Sequence, residues 1–204
     1  MNTQLNQHFL IDEDVINKLI MASNFKKDDI VVEIGPGTGN ITKKVLPLVK
    51  YVIGIEIDTN LKPSLEEVKK QYQNLEVIYG NVINMYIPKC SKIISNLPFS
   101  IIEPFIYKLI RCDFKEAILI VGDNYANGVI NGDKNNLSLL TNAFFEVKKI
   151  GDILPDSFLP KPRTKASILI LKHKSFDSHR DNFKMSIFRE LYFRKNQSEI
   201  RSIT

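Results

Sequence analysis

The chain has 204 residues, of which 44% are hydrophobic and 25% charged, a composition typical of a soluble globular domain. No apolar run approaches the roughly 20 residues that span a bilayer, and the first residues do not resemble a signal peptide, so we expect a cytoplasmic protein with no membrane partner. The net charge of +5 permits a polyanionic partner without requiring one. The two cysteines and three histidines show no metal-ligand spacing, so we expect no metal site.

Helices and strands alternate along the chain. Helical spacing of apolar residues predicts helices at 12–24, after Asn40 with a disturbance at Pro47, and at 61–73, 101–111 and 137–147, the last running towards a strand. Short apolar, β-branched runs predict strands at 30–34, 51–58, 75–82, 116–122 and 167–171, and another from Lys92. This alternation predicts an α/β fold, a mostly parallel sheet with helices on both faces.

The first predicted strand ends in a glycine turn, EIGPGTG, over residues 33–39. In parallel sheets, ligands bind at the carboxyl ends of the strands, and glycines let the backbone approach a ligand closely. A nicotinamide dinucleotide fingerprint would place a third glycine at position 40, which is Asn40, so a dehydrogenase is the least favoured enzyme class. A plain turn between strand and helix is the alternative interpretation.

Polar residues follow the next two predicted strands. Glu56 lies about 20 residues after the glycine turn, the spacing at which an acidic side chain binds the hydroxyls of a ribose. Asn81 ends the third strand, where its side-chain oxygen could accept a hydrogen bond from an adenine amino group. Taken singly, each could be a solvated strand end or a turn residue. Together with the glycine turn they indicate a nucleoside site.

The fourth strand ends in SNLPFS, residues 95–100. A turn needs only the Asn and the Pro, whereas a site for a flat, hydrogen-bonding ligand would also use the aromatic ring. A turn followed by a core phenylalanine is the alternative. The four strand ends together predict a nucleoside ligand with a reactive site beside it.

These motifs, EIGPGTG, GIEID, GNV and SNLPFS, resemble those of class I S-adenosylmethionine-dependent methyltransferases. More narrowly, the chain resembles the ribosomal RNA adenine N6-dimethyltransferases, which include the small-subunit dimethyladenosine transferases and the erythromycin-resistance methylases. NQHFLID at 6–12 and PDSFLPKPRTKAS at 155–167 are similar to two further motifs of that family. The resemblance spans about residues 4 to 200 and implies a Rossmann-like fold with a seven-stranded sheet.

The resemblance also implies roles for individual residues. S-adenosylmethionine would be the cofactor, bound by His8, Leu10, Gly35, Gly37, Glu56, Asn81 and Asn96. The catalytic residues would be Asn96, Leu97, Pro98 and Phe99. The side-chain oxygen of Asn96 and the backbone carbonyl of Leu97 or Pro98 would accept the two N–H bonds of the adenine amino group. Phe99 would stack on the flipped-out base.

The implied partner is ribosomal RNA or the small ribosomal subunit, and the implied product is dimethylated adenine. Basic residues that would contact phosphates are Arg163, Lys165, Arg189, Arg194 and Lys195, although a solvated surface is the alternative for each. We expect a methyltransferase domain at 1–172 and a short, basic helical segment at 173–204 that corresponds to only part of the family's C-terminal lobe. We also expect a monomer.

The sequence departs from the family pattern in three places. Asn81 stands where the family usually has Asp, VGDNYANGV at 121–129 replaces a charged segment that we expect to be a loop, and the C-terminal segment is short. These departures leave two alternatives open. One is a non-catalytic paralogue that binds cofactor and RNA in ribosome assembly, and the other is a methyltransferase with a different substrate.

Overall fold

The computed structural model describes residues 7–174. The strands are β1 (Phe9–Leu10), β2 (Ile30–Ile34), β3 (Tyr51–Glu56), β4 (Leu75–Tyr79), β5 (Lys92–Asn96), β6 (Glu116–Gly122), β7 (Phe145–Ile153), β8 (Phe158–Leu159) and β9 (Ala166–His173). The helices are α1 (Glu13–Ser23), α2 (Asn40–Val45), α3 (Lys62–Gln71), α4 (Ile102–Leu109), α5 (Asp123–Asn131) and α6 (Asn136–Phe144).

Seven of the strands form one sheet in the order β4-β3-β2-β5-β6-β9-β7. The first five are parallel, and β9 runs antiparallel between β6 and β7. The chain moves outward from β2 to β3 and β4, and then returns to β5 on the other side of β2. The strand order therefore reverses between β2 and β5, which is where sheets of this kind bind ligands.

Both faces of the sheet are covered, and this explains why central strands such as β2 and β6 are almost continuously apolar. Helices α1, α2 and α3 contribute Ile16, Val45 and Val68 to the core on one face. Helices α4, α5 and α6 pack on the other face, where the fully buried Phe105 lies at the centre of the larger apolar cluster. The predicted seven-stranded, mostly parallel sheet with helices on both faces is confirmed.

Local sequence signals account for most helix boundaries. The Asp12 carboxylate accepts hydrogen bonds from the backbone N–H groups of Asp14 and Val15, which caps α1 at the predicted residue. Helix α2 ends at Val45 and continues as a 3₁₀ turn over Leu46–Leu48, because Pro47 cannot donate the next helical hydrogen bond.

The expectation of a loop at 121–129 is wrong, because α5 begins at Asp123 directly after β6. The Asp123 carboxylate accepts a hydrogen bond from Asn127 one turn later, and Gly132, at φ 71°, ends the helix in a left-handed conformation. The Asp123 side chain also contacts Lys149 and Ser167 on other strands, and these tertiary contacts stabilise the start of the helix. Among the described residues, no helix is long and apolar enough to cross a membrane.

Candidate functional site

The carboxyl ends of β2, β3, β4 and β5 open into a cavity of about 270 Å³ at the reversal of strand order. Its lining includes Gly35 and Gly37 after β2, Glu56 from β3, Asn81 after β4, and Asn96, Leu97, Pro98 and Phe99 from the end of β5. His8 lines the cavity from the N-terminal side. The structure thus brings together all of the predicted cofactor and catalytic residues except Leu10.

The glycine turn forms the floor of the cavity. Gly35 and Gly37 have φ angles of 68° and 60°, which residues with a β-carbon rarely adopt. A β-carbon placed on Gly35 would meet no atom within 4 Å, so the cavity reaches the backbone at this point. A β-carbon on Gly37 would lie 2.9 Å from Cδ1 of the Phe9 ring, so Phe9 packs directly against the turn.

Glu56 is buried and held by the backbone around it. Its Oε2 accepts from the Gly37 N–H at 2.9 Å and its Oε1 accepts from the Asp58 N–H at 2.8 Å. Burial raises the pKa of Glu56, whereas these two hydrogen bonds oppose the rise. Each carboxylate oxygen keeps a further lone pair, so Glu56 can still accept hydrogen bonds from a ligand in the cavity.

Glu33, on the neighbouring strand β2, is a second buried acid near Glu56. Burial, opposed by the Thr42 hydroxyl and supported by the negative charge of Glu56, raises the pKa of Glu33 to about 7. Glu33 therefore titrates close to neutral pH. Because this carboxyl group is buried in the folded protein and reaches water on unfolding, it makes the free energy of unfolding dependent on pH.

Asn81 lies at the outer end of the cavity and is exposed. Its Oδ1 accepts from the backbone N–H of Ile83 at 2.9 Å, which fixes the side chain in a turn. The preceding Gly80 donates its N–H to the Glu56 carbonyl at 2.7 Å and so keeps this turn next to the end of β3. A second lone pair on the Asn81 oxygen is available to a ligand.

The end of β5 combines a fixed amide with an open aromatic ring. The Asn96 Nδ2 donates to the backbone carbonyl of His8 at 2.7 Å. Because a carbonyl can only accept, the atom facing His8 must be the amide nitrogen, and Oδ1 is left for another partner. The Pro98 carbonyl accepts from the Ile101 N–H at 3.1 Å, and Phe99 is 41% exposed.

Residues 7–12, here called the N-terminal strap, contribute Gln7, His8 and Phe9 to the lining of the cavity and contact the end of β5 through His8. Strand β1 pairs with β8, and the His8 Nδ1–H donates to the Pro160 carbonyl at 2.7 Å. Asn40 donates its side-chain N–H to the Leu10 carbonyl at 2.9 Å. The Leu10 side chain is buried in the core beside Ile16 and Phe158, and not in the lining of the cavity.

The sequence interpretation did not single out several lining residues. Phe9, Ile57, Phe158 and Pro162 provide apolar surface to the cavity. Each lies within a stretch that the resemblance did identify, namely NQHFLID, GIEID or PDSFLPKPRTKAS. The side-chain directions of Phe9 and Phe158 depend on the pairing of β1 with β8, two strands of two residues that a sequence pattern is too short to reveal.

Of the predicted RNA contacts, Arg163 and Lys165 are exposed on the segment that joins β8 to β9. Pro162, which precedes Arg163, lines the cavity, so both basic residues lie within three positions of the cavity wall along the chain. Arg189, Arg194 and Lys195 lie outside the described residues, as does most of the proposed 173–204 segment.

Comparisons with known proteins are consistent along the whole chain. Residues 1–201 match the family model described as ribosomal RNA adenine dimethylase. A probable ribosomal RNA small subunit methyltransferase A of Pyrococcus abyssi is 33% identical over 179 residues, which cover 85% of this chain and 65% of that protein. Its counterpart in Methanococcus aeolicus is 32% identical over 211 aligned positions, covering 99% of this chain and 78% of that protein.

Solved structures agree with the sequence comparisons. A dimethyladenosine transferase from Plasmodium falciparum has a TM-score of 0.77 and 35% identity, over 82% of this chain and 64% of that one. The 23S rRNA methyltransferase ErmE has a TM-score of 0.73 at 22% identity over 82% of this chain and 70% of that one, a likeness of fold. The matched region thus spans 64% to 78% of the length of these four proteins, and the chain belongs to the ribosomal RNA adenine dimethylase family.

Proposed function

We propose that this protein transfers methyl groups from S-adenosylmethionine to the N6 atom of adenine in small-subunit ribosomal RNA, with dimethyladenine as the product. The names of the relatives from Pyrococcus abyssi and Methanococcus aeolicus support the choice of RNA. The observation that carries the proposal is the fixed amide of Asn96 at the rim of the nucleoside cavity.

The cavity suits the proposed cofactor. The open space above Gly35 would admit the methionine part next to the backbone, and the remaining lone pairs of Glu56 would accept from the two ribose hydroxyls. The oxygen of Asn81 would accept from the adenine amino group, while Ile57 supplies apolar surface nearby. When bound, S-adenosylmethionine would supply an electrophilic methyl group on a sulfonium centre: the S–CH₃ bond would break as the N6–CH₃ bond forms, a neutral thioether would leave, and the N6 proton would pass to water.

The target adenine would be held by the end of β5. Its exocyclic nitrogen is a poor nucleophile because its lone pair is delocalised into the ring. Two acceptors that bind its N–H groups would hold this lone pair in a fixed direction. Asn96 Oδ1 is one acceptor, and the backbone carbonyl of Leu97 or Pro98 is the other, since the Pro98 carbonyl accepts from Ile101 but keeps a further lone pair.

The base itself would be removed from its stack and placed on the exposed ring of Phe99. Arg163 and Lys165 would bind the phosphates around it, and the net charge of +5 is compatible with this polyanionic partner. An amide oxygen is too weak a base to remove a proton, so the residues at the end of β5 contribute positioning. A ribosomal substrate also supports the expected cytoplasmic location.

A direct test combines purified protein, radiolabelled S-adenosylmethionine and small ribosomal subunits that lack the modification. The RNA is digested and the labelled nucleoside identified, with cofactor binding measured on the same sample by calorimetry. We expect label in N6-dimethyladenosine. Cofactor binding without label in any adenine would overturn the proposal and favour a non-catalytic binding protein.

A further inference from the structure

The start of α5 connects two parts of the chain that the proposed function uses. The ring of Phe99 covers Gly122, since a β-carbon placed there would lie 3.4 Å from its Cγ and 3.5 Å from both Cδ atoms. The next residue, Asp123, donates its backbone N–H to the Lys165 carbonyl at 3.1 Å. Adjacent residues therefore contact the stacking ring and the basic segment.

The Asp123 carboxylate extends this connection to β9 and β7. Its Oδ1 accepts from the Ser167 hydroxyl at 2.6 Å and from the Lys149 ammonium at 3.0 Å. Its Oδ2 accepts from the Asn127 side chain at 2.9 Å. Ser167 is fully buried and lies two residues after Lys165, so this carboxylate fixes the point at which the basic segment enters β9.

Lys149 completes a compact charged cluster. Its ammonium also donates to Asn127 Oδ1 at 2.6 Å and to Asp152 at 2.7 Å. Only about a fifth of the Lys149 and Asp123 side chains is exposed (21% and 20%), so water screens their attraction less than it would at an open surface. The Ser167 hydroxyl and the Lys149 ammonium hold the pKa of Asp123 below its usual range, and the group is ionised at neutral pH.

We propose that Asp123 is a positioning residue for the RNA substrate. It fixes Gly122, against which the Phe99 ring packs, relative to the segment that bears Arg163 and Lys165. The base on Phe99 and the phosphates on the two basic residues can then be bound at the same time. A carboxylate suits this task because its two oxygens accept three hydrogen bonds from three elements. This role rests on the proposed function in one respect, that the ligand of these groups is RNA.

The test compares Asp123→Asn with Glu116→Gln. Glu116 begins β6, at the opposite end of the strand from Gly122, and pairs with Lys92 and Lys172. Both changes remove one negative charge and one ion-paired carboxylate, so they alter the net charge and the general attraction to RNA equally. Lys149→Met is a second variant, which keeps the aliphatic stem and removes the charge that faces Asp123.

Affinity for RNA extracted from unmodified small subunits is measured at one fixed salt concentration, together with cofactor affinity and with kcat and KM. For Asp123→Asn and Lys149→Met we expect RNA affinity to fall about tenfold. The KM for RNA should rise by about the same factor, and cofactor affinity should be retained. Glu116→Gln is expected to bind RNA at least as tightly as the unchanged protein, because it removes one negative charge and leaves the Asp123 cluster intact.

Equal RNA affinities of Asp123→Asn and Glu116→Gln would overturn the role of Asp123, and so would a parallel loss of RNA and cofactor binding in Asp123→Asn. An unchanged protein that binds RNA but transfers no methyl group would overturn the proposed function, while the comparison of RNA affinities would still decide the role of Asp123. Failure of the unchanged protein to bind RNA would overturn both.

Discussion

The side-chain amide of Asn96 donates to the backbone carbonyl of His8 at 2.7 Å, across 88 residues of sequence. This bond joins the end of β5 to the N-terminal strap and determines which atom of the amide faces the cavity. Since His8 is itself held by the Pro160 carbonyl, the orientation of Asn96 depends on both segments that flank the cavity.

Asn96→Asp should abolish most methyl transfer. The exchange keeps the size of the side chain but places an oxygen against the His8 carbonyl, so the side chain loses its fixed orientation. We expect kcat to fall by at least about a hundredfold, and the affinity for the cofactor, which Asn96 would also contact, to fall by a smaller factor. Steady-state kinetics and calorimetry measure the two quantities.

The matched control is Asn40→Asp, which makes the same exchange against the Leu10 carbonyl two residues along the strap. Asn40 does not line the cavity, so we expect kcat to stay near that of the unchanged protein. Equal losses of kcat in the two variants would mean that the strap as a whole, and not the Asn96 amide, supports catalysis.

Glu56→Gln should weaken cofactor binding. The glutamine has one acceptor atom where the carboxylate has two, so the N–H of Gly37 or of Asp58 would face a second donor. We expect the dissociation constant of S-adenosylmethionine to rise about tenfold to a hundredfold by calorimetry. Glu67→Gln, on the exposed side of α3, is the control, and a similar weakening in both would contradict a ribose-binding role for Glu56.

Glu33 should make the free energy of unfolding fall as the pH rises. Its pKa is raised from 4.5 to about 7 in the folded protein, so between these values the folded chain binds a proton that the unfolded chain has released. The contribution of Glu33 to the free energy of unfolding is therefore complete below about pH 4.5 and is lost towards pH 7, a difference of roughly 3 kcal/mol.

Glu33→Gln removes this titration, and denaturant unfolding at several pH values in that range measures it. We expect the variant to gain stability relative to the unchanged protein as the pH rises. Glu76→Gln, on the exposed side of β4, is expected to retain the original pH dependence. A Glu33→Gln variant with the same pH dependence as the unchanged protein would show that Glu33 does not carry the effect.

Phe99→Ala should reduce RNA binding more than cofactor binding, because the exposed ring supplies a stacking surface for one base. We expect RNA affinity to fall about tenfold, and Phe99→Tyr, which keeps the ring, to restore most of it. Tyr86 is 84% exposed and does not line the cavity, so Tyr86→Ala is a control for general loss of aromatic surface. An equal fall in RNA affinity in both alanine variants would argue against a specific site for the base.

The sequence was sufficient to predict the parts of the fold that depend on local signals. The apolar run Ile30–Ile34 and the glycines that follow it predicted both β2 and the floor of the cavity, because steric and hydrophobic preferences act within a few residues. Asp12 likewise predicted the start of α1, and Pro47 predicted the disturbance at which α2 changes to a 3₁₀ turn. Ordered motifs at four strand ends also identified the family, which the comparisons confirm.

Other features were decided only by tertiary structure. Strands β1 and β8 are two residues each and exist because the strap and the segment after β7 lie side by side. The sequence suggested a loop in place of α5, because the Asp123 carboxylate can bind Ser167 and Lys149 only once β6, β7 and β9 are assembled. The orientation of Asn96 likewise depends on a carbonyl 88 residues away, since a hydrogen bond between distant segments forms only after the sheet has brought their ends together.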